Sequence, residues 1–343
     1  MSRNQSTTDQ PARGLRSRGS RARAAVRAFP LGVVALVVAA VIGTEALRGD
    51  AIDSEYRARA DLLRARLAAD PDGPLFLVVG SSRLVTGFTP ETLPPLQTHD
   101  GRPITAFNMA RTGSGPVSNH LMLARLFRDG VRPEWVLVEL MPALLTGEDA
   151  AKIAQRCGAR DLPIAHPYMP AGKLYPEYLR ERTSHLPELI RRAWAPADPS
   201  ASYGPLGGYR RLRDYIDPLT QEVLIREQVI CYRPLLQAFR VAASADRAVR
   251  ETVRLCRDHG AKVGFLMTPE GRGFREMYGP GCEQRFVDYV TGVGRELDVP
   301  VTDARDWLGD DDFIDYHHPF RRGATTFTAR LARDVLGPAV AGW

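Results

Sequence analysis

Leu75-Phe-Leu-Val-Val-Gly80-Ser81-Ser82-Arg83 decides the architecture. Residues 75–80 form an uninterrupted apolar run closed by Gly-Ser-Ser, as expected of a short strand buried on both faces. The pattern returns as ITAFNMA (104–110), WVLVEL (135–140), KVGFLMT (262–268) and the brief Val299-Pro-Val-Thr302. Helical segments intervene at 116–129, 244–259 and 283–297, and a last one follows at 323–336. In the first of these, Leu121, Leu123, Leu126 and Phe127 share an apolar side. Alternating strands and helices predict an α/β domain on a doubly wound, flavodoxin-like parallel five-stranded sheet. Sites in such sheets form at the carboxyl ends of the strands. Ser81-Ser82, Asn108–Gly113, Glu139–Ala143 and Thr268–Glu270 should therefore share one rim. Residues 144–240 break the alternation. They are rich in Pro, Tyr and Arg and read as a helical insertion on that rim, giving one domain over 75–343.

Upstream of this domain, residues 28–44 (AFPLGVVALVVAAVIGT) carry no charge. At about 1.5 Å per residue the run reaches roughly 25 Å, enough for a slightly thinned bilayer. Residues 1–27 hold seven arginines against one acid, Asp9. The positive-inside rule then makes 1–27 a basic cytoplasmic tail and 28–47 a transmembrane signal anchor. The domain would lie outside the cytoplasm, at a cell membrane, on its periplasmic or extracellular side. A cleaved signal peptide is the alternative, with Val38-Ala39-Ala40 as its small-residue site. Residues 51–69 read as an amphipathic helix stopped by Asp70-Pro-Asp-Gly-Pro74, so 48–74 is expected to be a stalk helix and linker.

The same charge count bears on partners. The chain of 343 residues has a net charge of +6, all of it accounted for by the tail, since the other 316 residues balance at 39 basic and 39 acidic. The body therefore has no excess to attract phosphates, and no nucleic-acid partner is expected. Cys157, Cys231, Cys256 and Cys282 have no CxxC spacing, which leaves zinc ribbons and thioredoxin-type sites unsupported. One or two disulfides and four buried thiols are equally open.

Phosphate-loop, dinucleotide, HExxH and GxSxG signatures are absent. What remains is a serine at the end of the first strand and Asp312-Phe-Ile-Asp315-Tyr-His317-His318-Pro319 near the far end. A serine hydroxyl becomes a nucleophile when an imidazole takes its proton and a carboxylate orients that imidazole. Residues three apart on a tight turn face the same side, so Asp315 pairs with His318 rather than with His317.

In these blocks the chain resembles the SGNH/GDSL hydrolase superfamily, in particular its divergent membrane-anchored branch associated with polysaccharide O-acylation. Gly80-Ser81-Ser82 stands where the family has Gly-Asp-Ser, with Ser82 as nucleophile. Asn108 and, five residues on, Gly113 match the second block. Asp315 and His318, before Gly323 and a final helix, match the last. The third block departs: after Trp135–Leu140 comes Met141-Pro142, without the family's Asn, a second oxyanion donor. The resemblance covers roughly 75–143 and 260–336. It implies catalysis by Ser82, His318 and Asp315, with the N–H groups of Ser82 and Gly113 receiving the oxyanion. No metal or organic cofactor is implied. Arg83, Asn108, Glu270 and His317 are candidate substrate-binding residues, while Glu139, inside a strand, is expected to accept buried hydrogen bonds.

The resulting expectation is an anchored serine esterase or O-acyltransferase acting on acyl esters, with cell-surface carbohydrate as substrate. Water or a sugar hydroxyl would resolve the acyl-enzyme. The alternative is a non-catalytic glycan-binding or assembly module on the same fold, which the missing Asn favours.

Overall fold

The computed structural model describes residues 16–47, 53–99, 101–184 and 199–340. Of the segments read above, 1–15 of the tail, 48–52 of the stalk and 185–198 of the insertion lie outside them. The chain is α/β. Its strands are β1 (Leu75–Val79), β2 (Leu96–Gln97), β3 (Pro103–Asn108), β4 (Trp135–Glu139), β5 (Lys262–Met267) and β6 (Val301–Asp303), in the order β2-β3-β1-β4-β5-β6. Five of them pair in parallel, whereas β2 runs antiparallel to β3. The expectation of five wholly parallel strands is corrected here: the sheet is mixed and six-stranded. The extra edge strand has two residues, too few for a periodicity to register. A turn creates it, with Thr98 N–H donating to Arg102 O (2.9 Å) and Gly101 at φ +84°.

Strand side chains alternate between two cores. Leu75, Leu77 and Val79 join the larger one, with Leu63 of α2 (Ser54–Ala69), Leu123 of α4 (Pro116–Arg128), Val253 of a helix at Ala243–Asp258 and Phe286 of a helix at Cys282–Glu296. Phe76 and Val78 join the other, with Leu84 of α3 (Ser82–Gly87) and Phe327 of the helix Arg321–Leu331. Alternation of this kind explains the continuous apolar runs, since both faces of the strands are covered.

β1 sits between β3 and β4. The chain leaves β1 toward one side and returns to the other, so the connections diverge at the carboxyl end of β1 and open a crevice there.

One region differs from its sequence reading. Residues 54–69 are helical, but α2 is not a free stalk: Tyr56, Ala60 and Leu63 are buried in the larger core. The insertion is largely helical, with α5 (Pro142–Leu145), α6 (Ala150–Arg156), α7 (Leu162–Ala165), α8 (Ala171–Ser184) and α9 (Pro218–Gln237). Ile153, Tyr168 and Leu174 of the insertion form a third core against Val117 and Leu121 of α4.

Ahead of the domain, helix α1 spans Arg16–Leu47. Among the described residues no helix is long and apolar enough to cross a membrane. Of the apolar run 28–44, side chains are described for 29–43. All four cysteines are free thiols, with Cys231 exposed and the other three buried.

Candidate active site

Gly80 follows β1 because nothing larger fits: a Cβ there would lie 2.5 Å from Glu139 Oε2. Ser81 is the N-cap of α3, its Oγ accepting from Arg83 N–H at 3.3 Å, and Ser82 is the first helical residue. Glu139, at the end of the neighbouring strand, accepts from Ser81 N–H (2.5 Å) and from the Thr268 hydroxyl (2.8 Å). It is buried and fully engaged in holding this turn, as its place inside a strand suggested.

The loop after the helical turn Asp310–Asp312 brings the distant partners in. Ile314 N–H donates to His318 O, and Phe313 bridges Pro319, so 313–319 doubles back on itself. Tyr316 takes φ +76° at its tip. Asp315 Oδ1 accepts from His318 N–H (3.0 Å), and Oδ2 lies 2.7 Å from His318 Nδ1. His318 Nε2 lies 2.8 Å from Ser82 Oγ. Ser82, His318 and Asp315 thus form one continuous hydrogen-bonded chain. Burial alone would raise the pKa of Asp315, but the hydrogen bond and charge of His318 outweigh it and hold the carboxyl at about 2. Asp315 is therefore ionised at neutral pH. Its carboxylate favours the His318 tautomer with the proton on Nδ1 and Nε2 open toward the serine.

Gly113 follows β3 at φ +65°, a conformation that only glycine adopts readily. Neither its N–H nor that of Ser82 donates a hydrogen bond among the described residues. A cleft of about 380 Å³ opens beside Ser82, and Thr112, Glu55, Tyr203 and Tyr209 are among its walls. Glu55 Oε1 accepts from Thr112 N–H (3.2 Å) and from the Tyr203 hydroxyl (3.3 Å).

No protein-family model matches this chain. A search of curated proteins finds no match either.

Four candidate substrate contacts are buried inside the protein. Asn108 is fully buried: its amide donates to Leu84 O (2.8 Å) and Phe88 O (2.7 Å), and its carbonyl accepts from Ala110 N–H (3.0 Å). It clamps the end of α3. Arg83 and Glu270 are both buried and pair with each other at 3.0 Å. The guanidinium also stacks over Phe274 and donates to Thr268 Oγ1, while Tyr278 donates to the other Glu270 oxygen. Burial would lower the Arg83 pKa, but Glu270 raises it, so the cation is retained. Residues 187 apart in sequence had no local signal to announce this pair. His317 is 1% exposed, with its ring against Tyr232, Phe274 and, at 4.1 Å between centroids, His318. Burial, followed by the charge of His318, drives its pKa far down, so it packs as a neutral ring.

The wall residues Glu55, Tyr203 and Tyr209 carried no signal. Glu55 lies in a segment read as a stalk, and the two tyrosines lie in an insertion of weak periodicity.

Proposed function

We propose that this chain is a serine esterase or O-acyltransferase of the SGNH type. The observation that carries the reading is the chain of hydrogen bonds from Ser82 through His318 to Asp315, open to a cleft at the carboxyl end of β1. Ser82 Oγ attacks an acyl carbonyl as His318 Nε2 takes its proton. The ionised Asp315 stabilises the imidazolium that forms. The negative oxygen meets the N–H groups of Ser82 and Gly113. His318 then returns the proton to the leaving alcohol. Water or a sugar hydroxyl, deprotonated by the same imidazole, releases the acyl group. Cell-surface carbohydrate is the proposed source or acceptor of that group, and no step requires a metal or cofactor.

The fold belongs to the same proposal. The parallel strands β3-β1-β4-β5-β6, covered by helices on both faces, support a flavodoxin-like doubly wound sheet with β2 as an added edge. So does the membrane anchor. Phe29, Leu31, Val34, Leu36 and Ile42 of α1 are each 60–74% exposed, and a lipid environment would cover them.

One observation favours the second reading, a non-catalytic glycan-binding module. Met141, 2% exposed, stands where an oxyanion-donating Asn is expected, and the cleft walls supply hydroxyls but no side-chain amide. Losing one such donor costs on the order of a hundred- to a thousandfold in rate. Covalent labelling of the full chain with a fluorophosphonate separates the two. Labelling that Ser82→Ala abolishes is expected. Absence of labelling in the folded parent chain would favour the binding module.

A further inference from the structure

A second cavity, of about 950 Å³, lies where α1, α2 and the insertion meet. Val41 and Ile42, in the last turns of the apolar run, form part of its wall. The rest is strongly cationic: Arg57, Arg64, Arg125, Arg128, Arg156 and Arg160 face it, against Glu45, Asp53 and Asp161. Each of those acids is already engaged. Asp53 pairs with Arg111 (2.6 Å) and Arg125 (2.8 Å), and Asp161 with Arg125 and Arg128. Glu45 accepts from Tyr178 and Arg182. Arg57 and Arg64 have Asp61 beside them.

Among the described residues, two of these guanidinium groups are left without a carboxylate. Among the described residues Arg156 donates to neutral oxygens, those of Ser114 (2.9 Å), Ser118 (3.3 Å) and the Thr112 carbonyl. Burial, and then the neighbouring Arg111, push its pKa down to about 10. Arg160 is exposed and makes no hydrogen bond or ion pair among the described residues. A cavity with surplus cations on one wall and the end of an apolar helix on another suits a ligand of matching build: an anion attached to hydrocarbon.

We propose that this cavity binds the phosphodiester headgroup of an anionic membrane lipid, its acyl chains running along α1. The proposal rests on the anchor reading, which sets Val41 and Ile42 at the outer boundary of the bilayer. The headgroup oxygens would meet Arg156 and Arg160. Arg156 also holds the carbonyl of Thr112, next to Gly113, so the lipid would lie one side chain from the loop of the candidate active site.

The full chain, reconstituted in nanodiscs of equal phosphatidylcholine and phosphatidylglycerol, tests this by native mass spectrometry of the lipids it retains. Phosphatidylglycerol should be retained over phosphatidylcholine by on the order of tenfold. Arg160→Gln, confined to an exposed side chain, should remove much of that preference, and Arg156→Gln/Arg160→Gln most of it. Arg226→Gln/Arg233→Gln, with the same charge change on exposed α9, should leave it intact. A chain held in the disc with equal retention of both lipids, or with a preference the cavity variants do not change, overturns the site and spares the anchor. A chain not held in the disc overturns both. Binding of inorganic phosphate that displaces the lipid at equal affinity would make this a soluble-anion site and overturn the lipid assignment.

Discussion

At His318 three contacts meet: Asp315 behind the ring, Ser82 in front of it and His317 against its face. In the proposed mechanism only the first two lie on the path of a proton. His318→Ala should therefore reduce turnover of a small acetyl ester by several orders of magnitude. His317→Ala should leave most of the turnover and instead lower unfolding free energy by about 2 kcal/mol, because it empties a packed site. Parallel kinetics and urea denaturation of the two variants check this, and a reversed pattern would overturn the assignment of the base. Asp315 carries a second prediction. Its folded pKa, about 2, lies below the ordinary 3.8. A carboxyl with a depressed folded pKa contributes stability above its unfolded pKa and loses it as pH falls toward the folded one. The contribution, about 2 kcal/mol, should be complete above pH ~4 and decline between ~4 and ~2. Asp315→Asn should lack that decline, so the stability difference between parent and variant should narrow over this window. The pairing itself was legible from spacing, since three residues separate Asp315 from His318. The pairing of Arg83 with Glu270 was not, because each was read as a separate substrate-binding candidate and they stand 187 positions apart.

Helix α2 shows where element-level reading stops. Its helical character follows from local composition and from the Asp70-Pro-Asp-Gly-Pro74 terminator. Its position does not. Arg59 is fully buried, its guanidinium 4.1 Å over the Tyr203 ring, so a residue normally assigned to solvent faces inward. Leu63 has no exposed surface and belongs to the main core. Leu63→Ala should then cost about 2–5 kcal/mol, read as a lowered denaturation midpoint of the whole chain. A solvated stalk would show almost no change, and that result would detach α2 from the domain. The main strands were legible as short uninterrupted apolar runs, and the helices between them outside the insertion as longer segments of helical pattern. β2 and α3 were not, for β2 has two residues and α3 six. In elements so short, turn and capping contacts decide the structure, and periodicity has nothing to act on.

At the scale of the molecule, the proposed anchor reading of the arginine-rich flank and the uncharged 28–44 run would place everything after Glu45 outside the cytoplasm. A reporter active only outside the cytoplasm, fused at residue 343, should be active. Activity of a cytoplasm-only reporter at the same position would overturn the topology and, with it, the lipid-facing cavity. Sequence by itself determined the α/β class, five of the six strands and the placing of Ser82, Gly113 and Glu139 after or at strand ends. It did so because strand burial, glycine requirements and the Asp315–His318 spacing are local properties, set by residues within a few positions of one another. Tertiary structure alone decided that α2 is part of the core and that Asn108 clamps α3. It alone also set Glu55 and Tyr203 beside Ser82 and paired Arg83 with Glu270. Each of these contacts joins residues far apart in the chain, and a buried charge or amide reveals its partner only once packing has removed water from both.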